Sequence, residues 1–514
     1  MTKVTFGFKV TITSEMLAFV CYLFVVLGVG IYFYVRGKQQ QKTGDKDYFL
    51  GGRNMNGWVA ALSAGASDMS AWVLMGLPGS IYLFGLGQVW ISVGLLLGTI
   101  AAWIFIAPRL RRASIKANDA ITIPQFLSGR FKSKSHVLQV ICAIIFIIAY
   151  CIYSASSIVA CGDLFNTIFG WDKTTTMALA TVIILVYTLL GGFNAVCWTD
   201  FFQGLLMLAA LMVTPIIACF VMKTPSFAPM AVVETGENYY NILSSGKLDW
   251  ASIADILSGL GWGLGYFGMP HILVRYMAIK SEKEMKKSRV VGIGWTTLIL
   301  IMASVVGLVG HEYLGTALNA DSKSLVFVTM VRDICPPLIA GLLLSAILAA
   351  SMSTADSQLL ASSSAFASDV YKPLIRKKLF KVDEDSDKGM MAAGRIVVAV
   401  ISVVAFLIAI NPGCKGIMAL VECAWAAFGA AFGPTIILAL YWKRFTYKGA
   451  VAGIVVGFGV DALWYAFLSG RTGLYEIIPG FLCSLIAAIV VSLLDKAPSK
   501  EVEELFEESK KLTD

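Results

Sequence analysis

The sequence predicts an all-α polytopic membrane protein with about thirteen transmembrane helices, and three observations support this fold class. Hydrophobic residues make up 57% of the 514 residues and charged residues only 14%, whereas soluble globular chains are about one quarter charged. Apolar stretches of about 20 residues, long enough to cross a bilayer, recur from one end of the chain to the other. Lysine and arginine are concentrated in alternate loops, which predicts an outside N-terminus and a cytoplasmic C-terminus.

The thirteen predicted spans leave too few residues for an additional soluble domain. They cover residues 15–35, 57–82, 88–107, 137–160, 174–192, 201–222, 251–270, 290–310, 336–366, 396–411, 416–441, 450–469 and 476–494. We therefore interpret residues 1–494 as one transmembrane domain. Residues 495–514 form a charged tail that we place in the cytoplasm.

The net charge of +8 does not indicate nucleic-acid binding. Basic clusters at residues 109–116, 275–289 and 376–381 lie in alternate loops, and we assign all three to the cytoplasmic side. A nucleic-acid site would instead place its basic residues on one folded face. We expect a multi-pass protein of the cell membrane that contacts the lipid bilayer, without nucleic acid and without an obligatory protein partner.

The sequence does not favour a membrane-embedded enzyme. Such an enzyme needs a metal cluster or a nucleophile–base pair at membrane depth. The only histidines, His136, His271 and His311, are isolated at the ends of spans. We interpret them as interfacial side chains rather than ligands.

Two spans contain residues that interrupt helices. The second span carries Asp68 within the small, polar stretch 63–70, and the seventh has five glycines between Gly259 and Gly268. Glycine costs about 1 kcal/mol relative to alanine inside a helix. Broken helices are tolerated in a membrane where they line a cavity or are covered by protein. The alternative is that the glycines only allow helices to pack closely.

The positions of these two spans predict an inverted repeat. The second span runs outward and the seventh, five helices later, runs inward. They therefore occupy corresponding positions in two five-helix units, residues 57–222 and 251–441, with peripheral helices at 15–35 and 450–494. Paired broken helices in inverted repeats are the sequence pattern of a transporter site.

Oxygen-bearing residues are concentrated at the first break and in the ninth span. In the ninth span, Ala350, Ser353, Thr354 and Ser357 share one helical face, with Asp356 beside them. Carboxylate, hydroxyl and carbonyl oxygens suit a hard cation.

Each of these polar residues also has a simpler interpretation. Asp68 could cap a half-helix, and a serine or threonine could bond its own helix carbonyl. Asp200, at the start of the sixth span, could be an ordinary interfacial acid.

Four aromatic residues lie at or beside the polar parts of the spans: Trp72, Tyr153, Trp262 and Tyr266. Facing lipid, they would form an interfacial belt. At mid-span among glycines, they could instead line a pocket for a small ligand.

Six segments resemble motifs of the sodium:solute symporter family. They are Asp47–Arg53, Ser63–Ser70, Trp262–His271, Ser345–Thr354, Ala424–Pro434 and Gly473–Gly480. The resemblance extends over about residues 15–500. It implies a LeuT-like fold and sodium-coupled uptake of L-proline by alternating access, with Na⁺ as the co-transported ion and no cofactor.

The resemblance also implies a role for individual residues. The implied sodium ligands are backbone oxygens of Ala66, Met69 and Ala350 and the hydroxyls of Ser353 and Thr354. Residues implied to act in ion coupling are Asp68, Ser70, Arg53, Asp200, Asp356 and Ser357. Those implied to bind the substrate are Trp72, Tyr153, Trp262, Tyr266 and Pro270.

Two residues depart from the family pattern. Ala71 replaces a glycine beside Asp68, which we expect to stiffen the break. Asp356 replaces a serine found in some relatives, and this leaves the ion stoichiometry open between a second sodium, a proton and a structural hydrogen bond. We favour one transported sodium ion. Alternative functions are symport of another amino acid, a carboxylate or a sugar, and solute sensing.

Overall fold

The computed structural model describes residues 4–6, 10–39, 49–190, 192–222, 238–379 and 387–511. Across these residues the chain is almost entirely helical, which confirms the predicted class. The described strands, β1 (Val4–Phe6) and β2 (Val10–Ile12), form one short antiparallel pair before the first helix.

The first half of the chain contains the helices of the predicted first repeat. Its helices are α1 (Ser14–Gln39), α2 (Gly57–Asp68), α3 (Leu77–Phe84), α4 (Val89–Ala101), α5 (Ala107–Lys116), α6 (Ile123–Arg130), α7 (Val137–Phe169), α8 (Lys173–Leu190) and α9 (Phe193–Val221).

The second half continues from the seventh predicted span to the tail. Its helices are α10 (Trp250–Gly261), α11 (Pro270–Ala278), α12 (Glu282–Leu314), α13 (Val326–Ile334), α14 (Pro337–Ala365), α15 (Asp387–Ala409), α16 (Ile417–Tyr441), α17 (Tyr447–Phe467), α18 (Ser469–Thr472), α19 (Ile477–Leu494) and α20 (Lys500–Glu508).

Every predicted span coincides with helical structure. Among the described residues, nine helices are long and apolar enough to cross a membrane, so the count of thirteen and the orientation remain predictions. Several helices extend beyond the predicted spans: the third continues through a π-helix to Lys116, and the ninth continues as the π-helix Phe366–Leu379. Hydropathy marks only the apolar part of such a helix, whereas the backbone hydrogen bonds continue past it.

The second span is broken as predicted. Helix α2 ends at Asp68, and the chain resumes as the π-helix Trp72–Gly76 that leads into α3. Within the break the Ser70 amide donates to the Asp68 carbonyl at 3.0 Å. Ala71 has φ −54° and ψ −16°, a region that alanine adopts freely. Alanine in place of the expected glycine therefore introduces no backbone strain.

The seventh span is broken by a different device. After α10 the chain forms the 3-10 helix Trp262–Phe267, and α11 then begins at Pro270. Proline is well suited to this first helical position, because its missing amide hydrogen would have no partner there. It also keeps the preceding Met269 extended, with ψ 107°.

The glycines of the seventh span also allow close helix packing. A Cβ atom on Gly263 would lie 2.3 Å from the carbonyl oxygen of Gly94 of α4, and one on Gly98 of α4 would lie 2.3 Å from the carbonyl oxygen of Gly263. Both interpretations of the glycine-rich sequence therefore apply. The glycines lie where the helix is interrupted, and they also let α4 pack closely against the backbone of the seventh span.

We predict that Gly98→Ala destabilises the protein, because the new methyl group meets backbone that has no freedom to yield. Overpacking of this kind costs about 1–3 kcal/mol, which a lower melting temperature in detergent would reveal. Gly294→Ala is the matched control, because a Cβ atom on this helical glycine meets nothing within 4 Å. Equal melting temperatures for the two variants would show that the close contact between Gly98 and Gly263 does not limit stability.

Candidate functional site

The residues predicted to form the site are all buried. The two key side chains at the breaks, Asp68 and Trp262, are 2% and 3% exposed. Arg53, just before the second span, is 8% exposed. The site therefore lies in the interior of the bundle, where each polar group needs a partner within the protein or a ligand.

The ninth span meets the first break through hydroxyl and carbonyl oxygens. The Ser353 hydroxyl lies 2.8 Å from the carbonyl oxygen of Ala66 and 3.0 Å from that of Ala350. Thr354 Oγ1 is buried without a hydrogen-bond partner among the described residues. Met69 is the first residue after α2, within the break itself. The structure thus brings Ala66, Ala350 and Ser353 together as predicted, with an unsatisfied oxygen beside them.

Asp68 connects this region to the aromatic residues. Its carbonyl oxygen accepts from the Trp72 indole at 3.2 Å and from the Tyr153 hydroxyl at 3.4 Å. Its Oδ2 accepts a hydrogen bond from Tyr266 of the seventh span, while Oδ1 has no partner within the described residues. Ser70 Oγ accepts from the Trp72 amide at 3.4 Å. The carboxylate therefore joins the two broken spans directly.

The four predicted aromatic residues lie together, so they do not form an interfacial belt. The ring centroids of Trp72 and Trp262 are 6.2 Å apart. Trp425 donates its indole N–H to the Trp262 carbonyl at 2.7 Å and lies 5.2 Å from the Tyr266 ring. The Tyr475 ring is 5.3 Å from that of Trp262.

Sequence reasoning assigned no role to Trp425 or Tyr475. Both lie in the segments that resemble the family, 424–434 and 473–480, so the signal was present. Their contact with Trp262 could not be inferred because it depends on how distant helices pack.

Arg275 is the largest correction to the sequence prediction. It was assigned to a cytoplasmic loop, yet its side chain is 2% exposed. It pairs with Asp200 at 3.3 Å and also contacts Ser63 and Ser357. The prediction was wrong because a further helix, α11, begins at Pro270, where the predicted span ends, and extends to Ala278. Arg275 lies on this helix and is packed inside the bundle.

The interpretation of His271 as an interfacial residue is also wrong, because His271 lies on α11. The side chain is fully buried, and Nδ1 lies 3.2 Å from the Tyr150 hydroxyl. It is therefore a core residue rather than an interfacial one.

Asp200 is bonded within the protein. Its Oδ2 accepts from the Ser63 hydroxyl at 2.7 Å and from Arg275, whereas Oδ1 has no partner in the described part of the chain. The Arg275 guanidinium is thus positioned to neutralise this buried carboxylate. Removing one partner of a buried ion pair is strongly destabilising, so Asp200 is more than an ordinary interfacial acid.

Asp356 has a different hydrogen-bond partner from Asp200, although it is close enough to Asp200 and Arg275 to interact with both electrostatically. Its Oδ1 accepts a hydrogen bond from Thr188 of α8. Its Oδ2 is buried and has no partner in the described ranges. The hydrogen bond to Thr188 therefore satisfies only one of its two oxygens.

Pro270 lines a small cavity, of about 20 Å³, beside α11. Arg275 and Ser357 contribute to the same wall, and Thr122 and Phe193 line it from other elements. This cavity places Pro270, predicted for the substrate, beside Ser357, which is predicted for ion coupling.

Arg53 links the residues before the second span to the C-terminal end of α11. Its guanidinium donates to the Met277 carbonyl at 2.6 Å, the Ala120 carbonyl at 2.7 Å and the Asp119 carboxylate at 2.8 Å. Burial lowers the pKa of Arg53, and the nearby Asp119 opposes this shift. The arrangement holds the second span, the seventh span and the loop before α6 together.

Comparison with known proteins places these features in a family. The family model described as "Sodium:solute symporter family" matches residues 48–457. The high-affinity proline transporter PutP of Bacillus subtilis is 42% identical over 90% of this chain and 95% of its own length. The osmoregulated proline transporter OpuE of the same organism is 41% identical, over 95% and 98%. The sodium/proline symporter of Escherichia coli is 40% identical, over 97% and 96%.

Solved structures confirm the fold. A sodium-coupled sialic acid symporter in a substrate-bound, outward-open state superposes with a TM-score of 0.76, at 21% identity, over 95% of this chain and 99% of the other. MhsT in complex with L-phenylalanine gives 0.54, at 15% identity, over 85% and 97%. These neighbours have the LeuT-like fold that the sequence predicted. By the family match and its near full-length relatives, the chain belongs to the sodium:solute symporter family.

Proposed function

We propose that this protein is a secondary active transporter that takes up L-proline together with sodium by alternating access. The observation that carries the proposal is the position of Asp68. Two residues before it, the Ala66 carbonyl contacts Ser353, while Asp68 itself contacts Trp72, Tyr153 and Tyr266. One short break in a helix therefore belongs to both the oxygen-rich region and the aromatic region.

The sodium ion is proposed to bind between the first break and the ninth span. Its ligands are the backbone oxygens of Ala66, Met69 and Ala350 and the hydroxyls of Ser353 and Thr354. Neutral oxygens of this kind suit a hard cation. The buried, unpartnered Thr354 hydroxyl supports the assignment, because a bound cation would satisfy it.

Proline is proposed to bind against the aromatic residues Trp72, Tyr153, Trp262 and Tyr266, with Pro270 on the inner side of the pocket. Their apolar faces match a small ring, and a few polar groups would fix its orientation. The three relatives compared above are named for proline transport, which supports proline over another amino acid, a carboxylate or a sugar. A role as a solute sensor has no comparable support.

Coupling between the two ligands follows from their shared structural element. Sodium orders the break and offsets the charge of Asp68, so it favours the arrangement that also binds proline. By linkage, each ligand then raises the affinity of the other by the same factor. Proline is zwitterionic, so transport with one sodium moves one net charge. Each 100 mV of membrane potential then contributes about 2.3 kcal/mol.

Release toward the cytoplasm is proposed to involve the inner residues. Ser357 and Arg275 border the cavity beside Pro270, Asp200 pairs with Arg275, and Arg53 ties together the proposed inner ends of the broken spans. Opening this side requires the Arg53 contacts to separate. The protein is proposed to lie in the cell membrane with a cytoplasmic C-terminus and to need neither a protein partner nor nucleic acid.

We expect purified protein in proteoliposomes to accumulate labelled proline when an inward sodium gradient is imposed. The physical reason is that the gradient supplies the free energy for uphill movement. Proline uptake measured with the gradient present and collapsed is the test. Accumulation that persists unchanged after the sodium gradient is collapsed would rule out symport.

Replacing both proposed hydroxyl ligands, Ser353→Ala with Thr354→Ala, should weaken sodium binding far more than proline binding at saturating sodium. Bonds to charged groups contribute about 1.5–3 kcal/mol, so the loss in sodium affinity should be at least about tenfold. Sodium dependence of uptake measures it. Ser345→Ala is the matched control, because this hydroxyl on the same helix bonds its own Gly341 carbonyl. Equal losses for sodium and proline would assign both hydroxyls to folding or to a shared pocket.

Asp356→Ser tests the proposal of one transported sodium. If Asp356 is a structural residue, its replacement should leave the sodium-to-proline ratio unchanged at one, as judged by the reversal potential of transport. A second coupled sodium or a coupled proton at Asp356 would instead shift the reversal potential in the variant. Thr188→Val, which removes the hydrogen bond but keeps the carboxylate, separates the loss of that bond from the loss of charge.

A further inference from the structure

Two buried acidic residues lie outside the proposed sodium and proline sites. Asp461 of α17 and Glu476, just before α19, are 4% and 2% exposed. Gly480 follows Glu476 by four residues and so shares its helical face. A Cβ atom on Gly480 would lie 3.2 Å from that of Asp461 and 3.3 Å from the Gly457 carbonyl oxygen. Asp461 and the Gly457 carbonyl of α17 therefore lie against the face of α19 that Glu476 begins, and Glu476 is close enough to act electrostatically on Asp461.

Among the described residues, neither carboxylate forms a salt bridge with a basic side chain. Asp461 Oδ1 and Glu476 Oε1 are buried and have no hydrogen-bond partner among the described residues. The buried Asp369 differs, because its two oxygens accept from Thr122 at 2.8 Å and from Gln139 at 3.4 Å. Buried charges are normally paired or bound to a metal ion.

Lys415 is the basic residue that interacts electrostatically with Glu476, but it does not form a salt bridge with it. Lys415 acts on Glu476 and on the partly exposed Glu422, but its ammonium lies over the Tyr465 ring at 5.0 Å. Glu476 is also close enough to act on both Asp461 and Glu422. The region is therefore acidic, with two acids buried and a third near its edge.

We propose that Asp461 and Glu476 bind a hard cation, Na⁺ or Ca²⁺, with Glu422 at the entrance. Carboxylate and carbonyl oxygens are the ligands that such cations prefer. Within the described ranges, no three acidic, histidine or cysteine side chains converge in metal-binding geometry. The proposed ligands of the cation are the two carboxylates, the Gly457 carbonyl oxygen and water molecules.

The bound cation would support the wall of the substrate pocket. Tyr475, the residue before Glu476, donates its hydroxyl to the Glu422 carbonyl at 2.9 Å. Its ring packs 5.3 Å from that of Trp262. A cation that joins α17 to the start of α19 thus holds Tyr475 behind Trp262. This cation is distinct from the ion proposed at Ser353 and Thr354.

Saturation binding of radiolabelled sodium, and separately of radiolabelled calcium, to the purified full-length protein tests the proposal. The double variant Asp461→Asn with Glu476→Gln should bind one cation fewer than the wild type, either one sodium or one calcium. It should keep the sodium that Ser353→Ala with Thr354→Ala removes, and this retained ion shows that the variant is folded. Asp333→Asn, at an exposed carboxylate of α13, is the matched control and should bind the wild-type number.

Unchanged counts of both cations in the double variant would overturn the proposal. Loss of every bound ion would also overturn it, because the pair would then not form a separate site. Loss of one sodium identifies Na⁺ as the occupant, and loss of one calcium identifies Ca²⁺. None of these counts depends on whether the transported solute is proline.

Discussion

The arrangement of this protein depends on one constraint: a carboxylate and an unwound backbone segment are buried inside an apolar bundle. Asp68 satisfies its carbonyl oxygen with Trp72 and Tyr153 and one carboxylate oxygen with Tyr266. These partners come from the first repeat and from the broken span of the second. The seventh span must therefore approach closely, which its glycines allow. The same break presents the Ala66 carbonyl to Ser353, so the proposed ion and substrate sites are neighbours for a structural reason.

The fold and most of the site could be predicted because their signals are local. Apolar length predicted the helices, glycine and polar residues predicted both breaks, and helical spacing placed Ser353 and Thr354 on one face. Arg275 and His271 were placed wrongly because hydropathy indicates where a bilayer-facing stretch ends and not where the helix ends. The contacts of Trp425 and Tyr475 with Trp262 were missed because they depend on long-range packing. The substitution at Ala71 proved harmless, since its backbone conformation needs no glycine.

The buried charges fall into two groups with different physical solutions. Asp200 is compensated by Arg275, and Arg53 by Asp119 and backbone carbonyls, so both pairs link separate helices. Asp68, Asp356, Asp461 and Glu476 form no salt bridge in the described chain, and each keeps an oxygen without a hydrogen-bond partner there. In a water-poor interior such oxygens are expected to attract a proton or a cation. The second group is therefore where ligand binding and charge movement are expected to act.

The central claim is that the break at Asp68 couples sodium to proline. Its most direct test measures proline affinity at zero and saturating sodium, and sodium affinity at zero and saturating proline, on the purified protein. The account predicts the same fold-increase in both affinities, as linkage requires, and a factor near one in Asp68→Asn. A wild-type factor of one, or an unchanged factor in Asp68→Asn, would contradict it.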